Sequence, residues 1–344
     1  MNANQLPRKK SELRNCFCKA RFLVNASFLV VLAVLFGICL TGCSTAALTS
    51  GTNLAKVGQT ASLQMEQNAT LSGNSILALK KAVAFNDGYN GLVGNSDSKA
   101  FLVTISDIQG HLAQYGKWLE SLSSSYSALG DLATYDAVGN FDSSIGALAT
   151  NTTQFASDIG KPIEISSEVT SSVKGVGGFF IGSIQASKVK DASHKIEILL
   201  TNIIAALEDP NTKKQLITIQ GEVTGQIDQA ATVLFDNGMC SYAPLLDDLG
   251  SPLALKSIST SDEILRKAGN EKVLAGLRNV AVELAQEQIS SQAASYDKSL
   301  AALKALVPLH ESLQNDAPLN LDSIKSITSQ LQSIAATFQP IIKK

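Results

Sequence analysis

The sequence predicts an all-α protein, an elongated bundle of about five or six helices, several of them long and coiled-coil-like. Three observations predict it. Apolar residues recur at steps of three and four along most of the chain. The longest unbroken run is Phe101, Ile105, Ile108, Leu112, Tyr115, Leu119, Leu122, Tyr126 and Leu129, a heptad seam of about four heptads. No stretch alternates apolar and polar residues as a half-buried strand would. Aromatic residues make up only 6% of the chain, so the core must be built from aliphatic stripes, which suits helix packing on helix.

Taken in order, residues 43–52 are small and polar and read as a flexible tether, and residues 53–344 read as one helical bundle domain. The helical pattern starts near Asn53 and continues through Leu54, Val57, Ala61, Met65, Ile76, Leu79 and Val83. Turn formers at 86–95 break it. The heptad seam comes next, slips phase at 135–139, and resumes at Val138, Phe141, Ile145, Leu148, Thr152, Phe155 and Ile159. No proline interrupts residues 96–160, so one long helix or two nearly collinear ones are expected. Their reach would be roughly 90 Å at 1.5 Å per residue. Such a seam cannot stand alone in water and requires covering partners.

Prolines punctuate the rest of the chain. Pro162 is expected at a helix start. Val169, Val173, Val176 and Phe180 continue a stripe, as do Ile196, Leu200, Ile203 and Leu207. Asp209-Pro210-Asn211 reads as a turn before the face formed by Leu216, Ile219, Val223, Ile227, Ala230 and Leu234. Residues 236–260 read as irregular, and Ser261-Asp262-Glu263 as the capped start of another helix. Its face runs through Val273, Leu277, Val280, Leu284, Tyr296, Leu300, Leu303 and Val307. Pro308 and Pro318 are expected to bound a turn before a last helix at 321–338.

The first 42 residues have the parts of an export signal. Residues 1–21 carry Arg8, Lys9, Lys10, Arg14, Lys19 and Arg21 against the single acid Glu12. Residues 22–40 carry no charge. Leu40, Thr41, Gly42 and Cys43 complete the leader as aliphatic, small, small, cysteine. This resembles the lipobox of bacterial lipoprotein precursors. The resemblance covers the leader and the anchor and does not extend to the body. It implies that residues 1–42 are removed as a signal peptide and that the Cys43 thiol takes a diacylglycerol, with palmitate-type chains as the membrane anchor. Ser44 stands where an Asp would favour retention in the inner membrane. The resemblance therefore implies an outer-membrane lipoprotein facing the periplasm if the source has two membranes. The competing reading is an uncleaved signal anchor, because a run of about 19 apolar residues can just cross a bilayer.

Composition narrows the function classes. Six of the 28 basic residues and one of the 30 acids lie in residues 1–42, leaving 22 and 29, a net charge of −7 on the mature chain. An acidic body speaks against nucleic acid as a partner and against electrostatic binding to anionic lipid. Cys16, Cys18 and Cys39 lie in the leader and Cys43 is the anchor, so Cys240 is alone in the body and no internal disulfide is expected.

No stretch of the body carries chemistry with specificity. Gly110, Gly116 and Lys117 mimic a P-loop, but five residues separate the glycines where four are needed, and Trp118 stands in the hydroxyl position. Ser-x-x-Lys occurs at Ser96, Ser171, Ser187 and Ser295 without the companion motifs of serine–lysine enzymes. Asp191, His194 and Glu197 share a helix face, where ion pairing competes with metal binding. The apolar, glycine-rich stretch 175–184 reads as a close helix crossing or a kink. Its sharper reading, a membrane-seeking segment, resembles helical pore-forming toxins in outline, although ten residues fall well short of a span.

The resulting expectation is a membrane-anchored cell-envelope lipoprotein acting as a non-enzymatic helical interaction or scaffold module. Cys43 is its lipid-attachment residue. No catalytic residue, cofactor, metal or small-molecule substrate is expected. The partners are the membrane and either another protein or further copies of the chain. The alternative is a membrane-remodelling or pore-forming protein using 175–184.

Overall fold

The computed structural model describes residues 43–92, 95–135, 137–173, 182–217, 220–237 and 271–342. These form α1 (Cys43–Tyr89), α2 (Ser96–Thr134), α3 (Val138–Asp158), α4 (Ser167–Thr170), α5 (Gly182–Glu208), α6 (Pro210–Ile217), α7 (Gln220–Asp236), α8 (Glu271–Gln314) and α9 (Leu321–Ile342). Among the described residues there is no strand, so the chain is all-α.

Helix α1 is the hub and packs against α2, α5, α7, α8 and α9. The pairing with α2 is antiparallel and runs nearly the length of both helices. Gly51 lies against Ala133, Gly58 against Tyr126, and Lys80 Nζ donates to Ser106 Oγ at 2.9 Å. At the far end Ser98 Oγ donates to Asp87 Oδ1 at 2.7 Å. Helix α5 runs parallel to α1, with Val189 beside Gly51, and antiparallel to α2, where Gln185 Nε2 donates to the Leu132 carbonyl at 3.0 Å. The central packing leaves one contiguous apolar core that extends from Ala47 to Ile334.

The heptad seam is the centre of that core. Eight of its nine residues, from Ile105 to Leu129, are buried, and Phe101 packs against their edge. At roughly 1.5–3 kcal/mol for each fully buried large aliphatic side chain, this stripe is among the largest stabilising contributions in the fold. It is covered by the chain itself.

Four expectations change. The expected collinear continuation across 96–160 is instead a helical hairpin. Trp118 Nε1 donates to Thr152 Oγ1 at 3.0 Å, Ser125 Oγ donates to the Ser144 carbonyl at 3.2 Å, and the Tyr115 and Phe155 rings lie 5.4 Å apart. The phase slip was the sign of a break, and folding back lets the α3 stripe (Phe141, Ile145, Leu148, Phe155) bury itself against α2.

Residues 43–52, expected as a tether, are the first turns of α1. Their small side chains suit a close crossing: Ala47 is buried, Leu48 packs on the core, and a Cβ on Gly51 would sit 2.6 Å from Val189 Cγ1.

Pro162 does not open a helix; 161–166 is a non-helical link. Helix α3 ends in a left-handed Gly160 (φ +71°), with Lys161 N–H donating to the Ala156 carbonyl at 2.7 Å and Gly160 N–H to the Ser157 carbonyl at 3.0 Å. This is the Schellman arrangement, which satisfies the last carbonyls.

Pro308 does not bound a turn but lies inside α8. It forfeits one i→i−4 bond there. Leu303, Leu306, Leu309, His310 and Leu313 are buried on both sides of it, and their packing holds the helix through the gap.

Asp209-Pro210-Asn211 is a junction between helices. Asp209 Oδ1 accepts from Asn211 N–H at 2.8 Å and Oδ2 from Lys161 Nζ at 2.6 Å. The Lys161 hydrogen bond, with the backbone bonds at the cap, holds the Asp209 carboxyl below its usual range. The last helix starts at Asn320, whose Oδ1 accepts from the Asp322 and Ser323 amides at 2.9 and 3.2 Å. Residues 238–270, with Cys240 and the expected helix start at Ser261, lie outside the described residues.

Candidate functional site

Cys43 is the first residue of α1. Leu40, Thr41 and Gly42 lie outside the described residues. Ala47, four positions and about 6 Å of helix beyond Cys43, is already buried. Helix α1 is 47 residues long and ends at Tyr89, at the end of the bundle opposite Cys43; Tyr89, Leu92 and Val103 are exposed.

Among the described residues one polar constellation has a chemical look. Tyr126 on α2, Ser193 on α5 and His310 on α8 form a chain: Tyr126 Oη lies 2.8 Å from His310 Nε2, and Ser193 Oγ lies 2.8 Å from Nδ1. In either tautomer one ring nitrogen donates and the other accepts. All three side chains are fully buried. Burial pushes the His310 pKa down to about 3, so the ring is neutral at physiological pH. A Ser–His pair is the core of nucleophilic catalysis. Here the third member is a tyrosine rather than a carboxylate, and the serine has no open face for a substrate. The arrangement satisfies three buried polar groups and fixes how α2, α5 and α8 meet. Residues 126, 193 and 310 have no spacing signature, so sequence reasoning does not find them.

Asp191, His194 and Glu197 do not converge on one point: Asp191 turns to Lys195, while His194 lies between Glu168 and Glu197. Asp191 faces Lys195 Nζ at 3.8 Å, and His194 Nε2 faces Glu168 Oε1 at 3.5 Å. His194 Nδ1 lies 3.7 Å from Glu197 Oε2, which also accepts from Gln314. Among the described residues no group of three His, Cys, Asp or Glu could hold a metal ion. Lys195 is buried, and its Nζ donates to the Ser171 carbonyl and, at 3.3 Å, to Ser171 Oγ. That serine is held by donating to the Glu168 carbonyl at 2.7 Å.

The P-loop mimic Gly110, Gly116 and Lys117 lies within α2, with no strand or loop before it. Of the Ser-x-x-Lys pairs, Lys174 lies outside the described residues, Ser96, Ser187 and Ser295 are helical, and Ser295 is fully buried. Of the glycine-rich stretch, 175–181 lie outside the described residues and Gly182 to Ile184 open α5. Among the described residues no helix is long and apolar enough to cross a membrane.

One surface depression is lined by α1 and α2, a groove of about 300 Å³ between Glu66, Gly73 and Asn74 on one side and Gln109, Gly116 and Glu120 on the other. Partial burial, and the Glu120 charge across the groove, raise the Glu66 pKa. Ala69 and Leu112 separate it from a cavity of about 30 Å³ bordered by Asn68, Tyr115, Tyr296 and Ser299. The mixed charges and shallow shape of the groove define no reaction. Compared with known proteins, the chain matches no family model, no curated protein and no solved structure.

Proposed function

We propose that the chain is a lipoprotein of the bacterial cell envelope, held to a membrane by acyl chains on Cys43, and that its body is a non-enzymatic helical interaction module. The observation that carries this reading is Leu40-Thr41-Gly42-Cys43 at the end of a charged, then apolar leader. Two or more acyl chains, at about 0.8 kcal/mol per buried methylene, anchor a protein stably. With Ser44 rather than Asp after the cysteine, the outer membrane, periplasmic side, is the address in a two-membrane envelope.

The interaction part is supported by the course of α1. It leads from the anchor residue to an opposite end where Tyr89, Leu92 and Val103 are exposed. Because the heptad seam is buried within the chain, contact with a protein partner falls on such exposed residues rather than on the seam.

The test is growth with a labelled fatty acid, then membrane fractionation of wild type and Cys43→Ala. Label on the wild type alone, with release of Cys43→Ala from the membrane, is the expected result. A Cys43→Ala protein that stays in the membrane fraction with its leader intact contradicts the reading.

A further inference from the structure

We infer that the end of the bundle bearing Cys43 rests directly on the lipid surface in a fixed orientation, with Ile184 in the headgroup layer and Tyr135 at its outer edge. The inference rests on the lipid-anchor reading and adds the geometry of the contact.

The anchor has no slack. A flexible tether of nine residues would let the body wander by roughly 17 Å, taking about 5–6 Å times the square root of its length. Here the same residues are helical, and from Ala47 onward they pack on the body. Ala47 is buried, and Gly51 is wedged so tightly that a Cβ there would meet Val189 Cγ1 at 2.6 Å and Ala133 Cβ at 3.4 Å. One turn further along α1, a Cβ on Gly130 would lie 3.2 Å from Ala55 Cβ. The acylated residue therefore fixes which end of the bundle meets the membrane, and how close it comes.

Helix directions identify the groups at that end. They are the start of α1, the end of α2, the start of α5 and, through the Lys190–Asp316 ion pair, the end of α8. Two large side chains stand out there: Tyr135, 60% exposed, and Ile184, 39% exposed. Their depth is set by helix rise. Cys43 lies eight residues before Gly51, about 12 Å, and Ile184 five residues before Val189, about 7.5 Å. Since Gly51 and Val189 touch, Ile184 sits about 5 Å from the level of Cys43 along the bundle. Tyr135, one helical and one extended residue past Ala133, sits about 7–9 Å from that level. Both positions lie on the body side of Cys43; the polar layer on each face of a bilayer is about 5–7 Å thick, so with Cys43 at its base Ile184 falls within it and Tyr135 reaches its outer edge. Tyrosine is a residue favoured at that depth. Attraction to anionic lipid is not the source of this contact: Lys190 is paired with Asp316, and the Asp131 carboxylate accepts from the neutral Tyr135 hydroxyl at 3.2 Å. The contact is thus apolar and insensitive to salt.

The test uses the lipidated mature protein in vesicles of phosphatidylethanolamine and phosphatidylglycerol. Spin labels are placed at Ile184→Cys or Tyr135→Cys in a Cys240→Ser background, with Leu92→Cys and Val103→Cys at the opposite end as references. The expected result is several-fold lower collision with an aqueous nickel chelate at 184 and 135 than at 92 and 103, unchanged at high salt. Equal access at all four positions on a protein whose Cys43 is acylated overturns the inference and leaves the anchor standing. A Cys43 found without acyl chains overturns the anchor, and the inference with it. A flexible Gly-Ser linker inserted after Ser44 is expected to raise access at 184 to the reference level while the protein stays on the vesicle. Protection that survives the linker overturns the rigid coupling through α1.

Discussion

Gly58→Ala is the sharpest test of the packing between α1 and α2. In an exposed helix interior, glycine to alanine stabilises by about 1 kcal/mol, because alanine loses less backbone freedom on folding. At position 58 the added Cβ would sit 2.3 Å from Tyr126 Cε1 and 2.4 Å from two further ring carbons. The ring cannot yield cheaply. It is fully buried, and its hydroxyl lies 2.8 Å from His310 Nε2. Overpacking costs about 1–3 kcal/mol. A displaced hydroxyl would leave Tyr126 and His310 unsatisfied at about 1–3 kcal/mol more. Set against the propensity gain, the expected net loss is about 3 kcal/mol. Gly73 is the internal control: it lies in the same helix, and a Cβ there meets nothing within 4 Å, so Gly73→Ala is expected to gain about 0.5–1 kcal/mol. Urea unfolding of the mature chain in a Cys43→Ala background, monitored by the fluorescence of the buried single tryptophan, Trp118, measures both. A Gly58→Ala variant as stable as Gly73→Ala would refute the close crossing and the buried polar chain behind it.

The remaining expectations concern pH, a helix end and the hairpin. His310 is neutral when folded, with a pKa of about 3 against 6.5 unfolded, so the unfolded state takes up the proton first as pH falls. Stability from this residue is complete above 6.5 and is lost downward from there; between pH 7.5 and pH 5 the loss is about 2 kcal/mol, and a stability profile of wild type against His310→Gln isolates it. A wild type with no steeper acid dependence than His310→Gln would contradict a buried neutral ring. Gly160→Ala places a Cβ at φ +71° and is expected to cost about 1–2 kcal/mol, read as a lower urea midpoint at unchanged slope. Thr152→Val removes the acceptor of the Trp118 indole at near-constant volume and is expected to cost about 1–3 kcal/mol. An unchanged midpoint there would argue against the fold-back of α3 on α2.

The fold class was legible because burial imposes periodicity. Ile105 through Leu129 recur at three and four, and each faces the core. Direction was less legible. The same stripe continues through Phe141, Ile145 and Leu148 in a straight helix or a hairpin, and only tertiary contacts such as Trp118 with Thr152 choose between them. Composition misled at 43–52, since Ser, Thr, Ala and Gly suit a loose tether and a close helix crossing alike. Proline misled at Pro308, where packing of Leu306, Leu309 and Leu313 outweighs one missing hydrogen bond. The Tyr126–His310–Ser193 chain joins residues up to 184 positions apart and leaves no local trace. The anchor motif is the reverse case: all its information is local, in Leu40, Thr41, Gly42 and Cys43.

The most direct test of the lipoprotein reading is the intact mass of the protein purified from membranes. The expected species is a chain that begins at Cys43 and carries added acyl mass on that residue, which vanishes in Cys43→Ala. A chain that begins at Met1 with an unmodified Cys43 would contradict the reading, because the leader would then be the anchor and the start of α1 would have no lipid to hold.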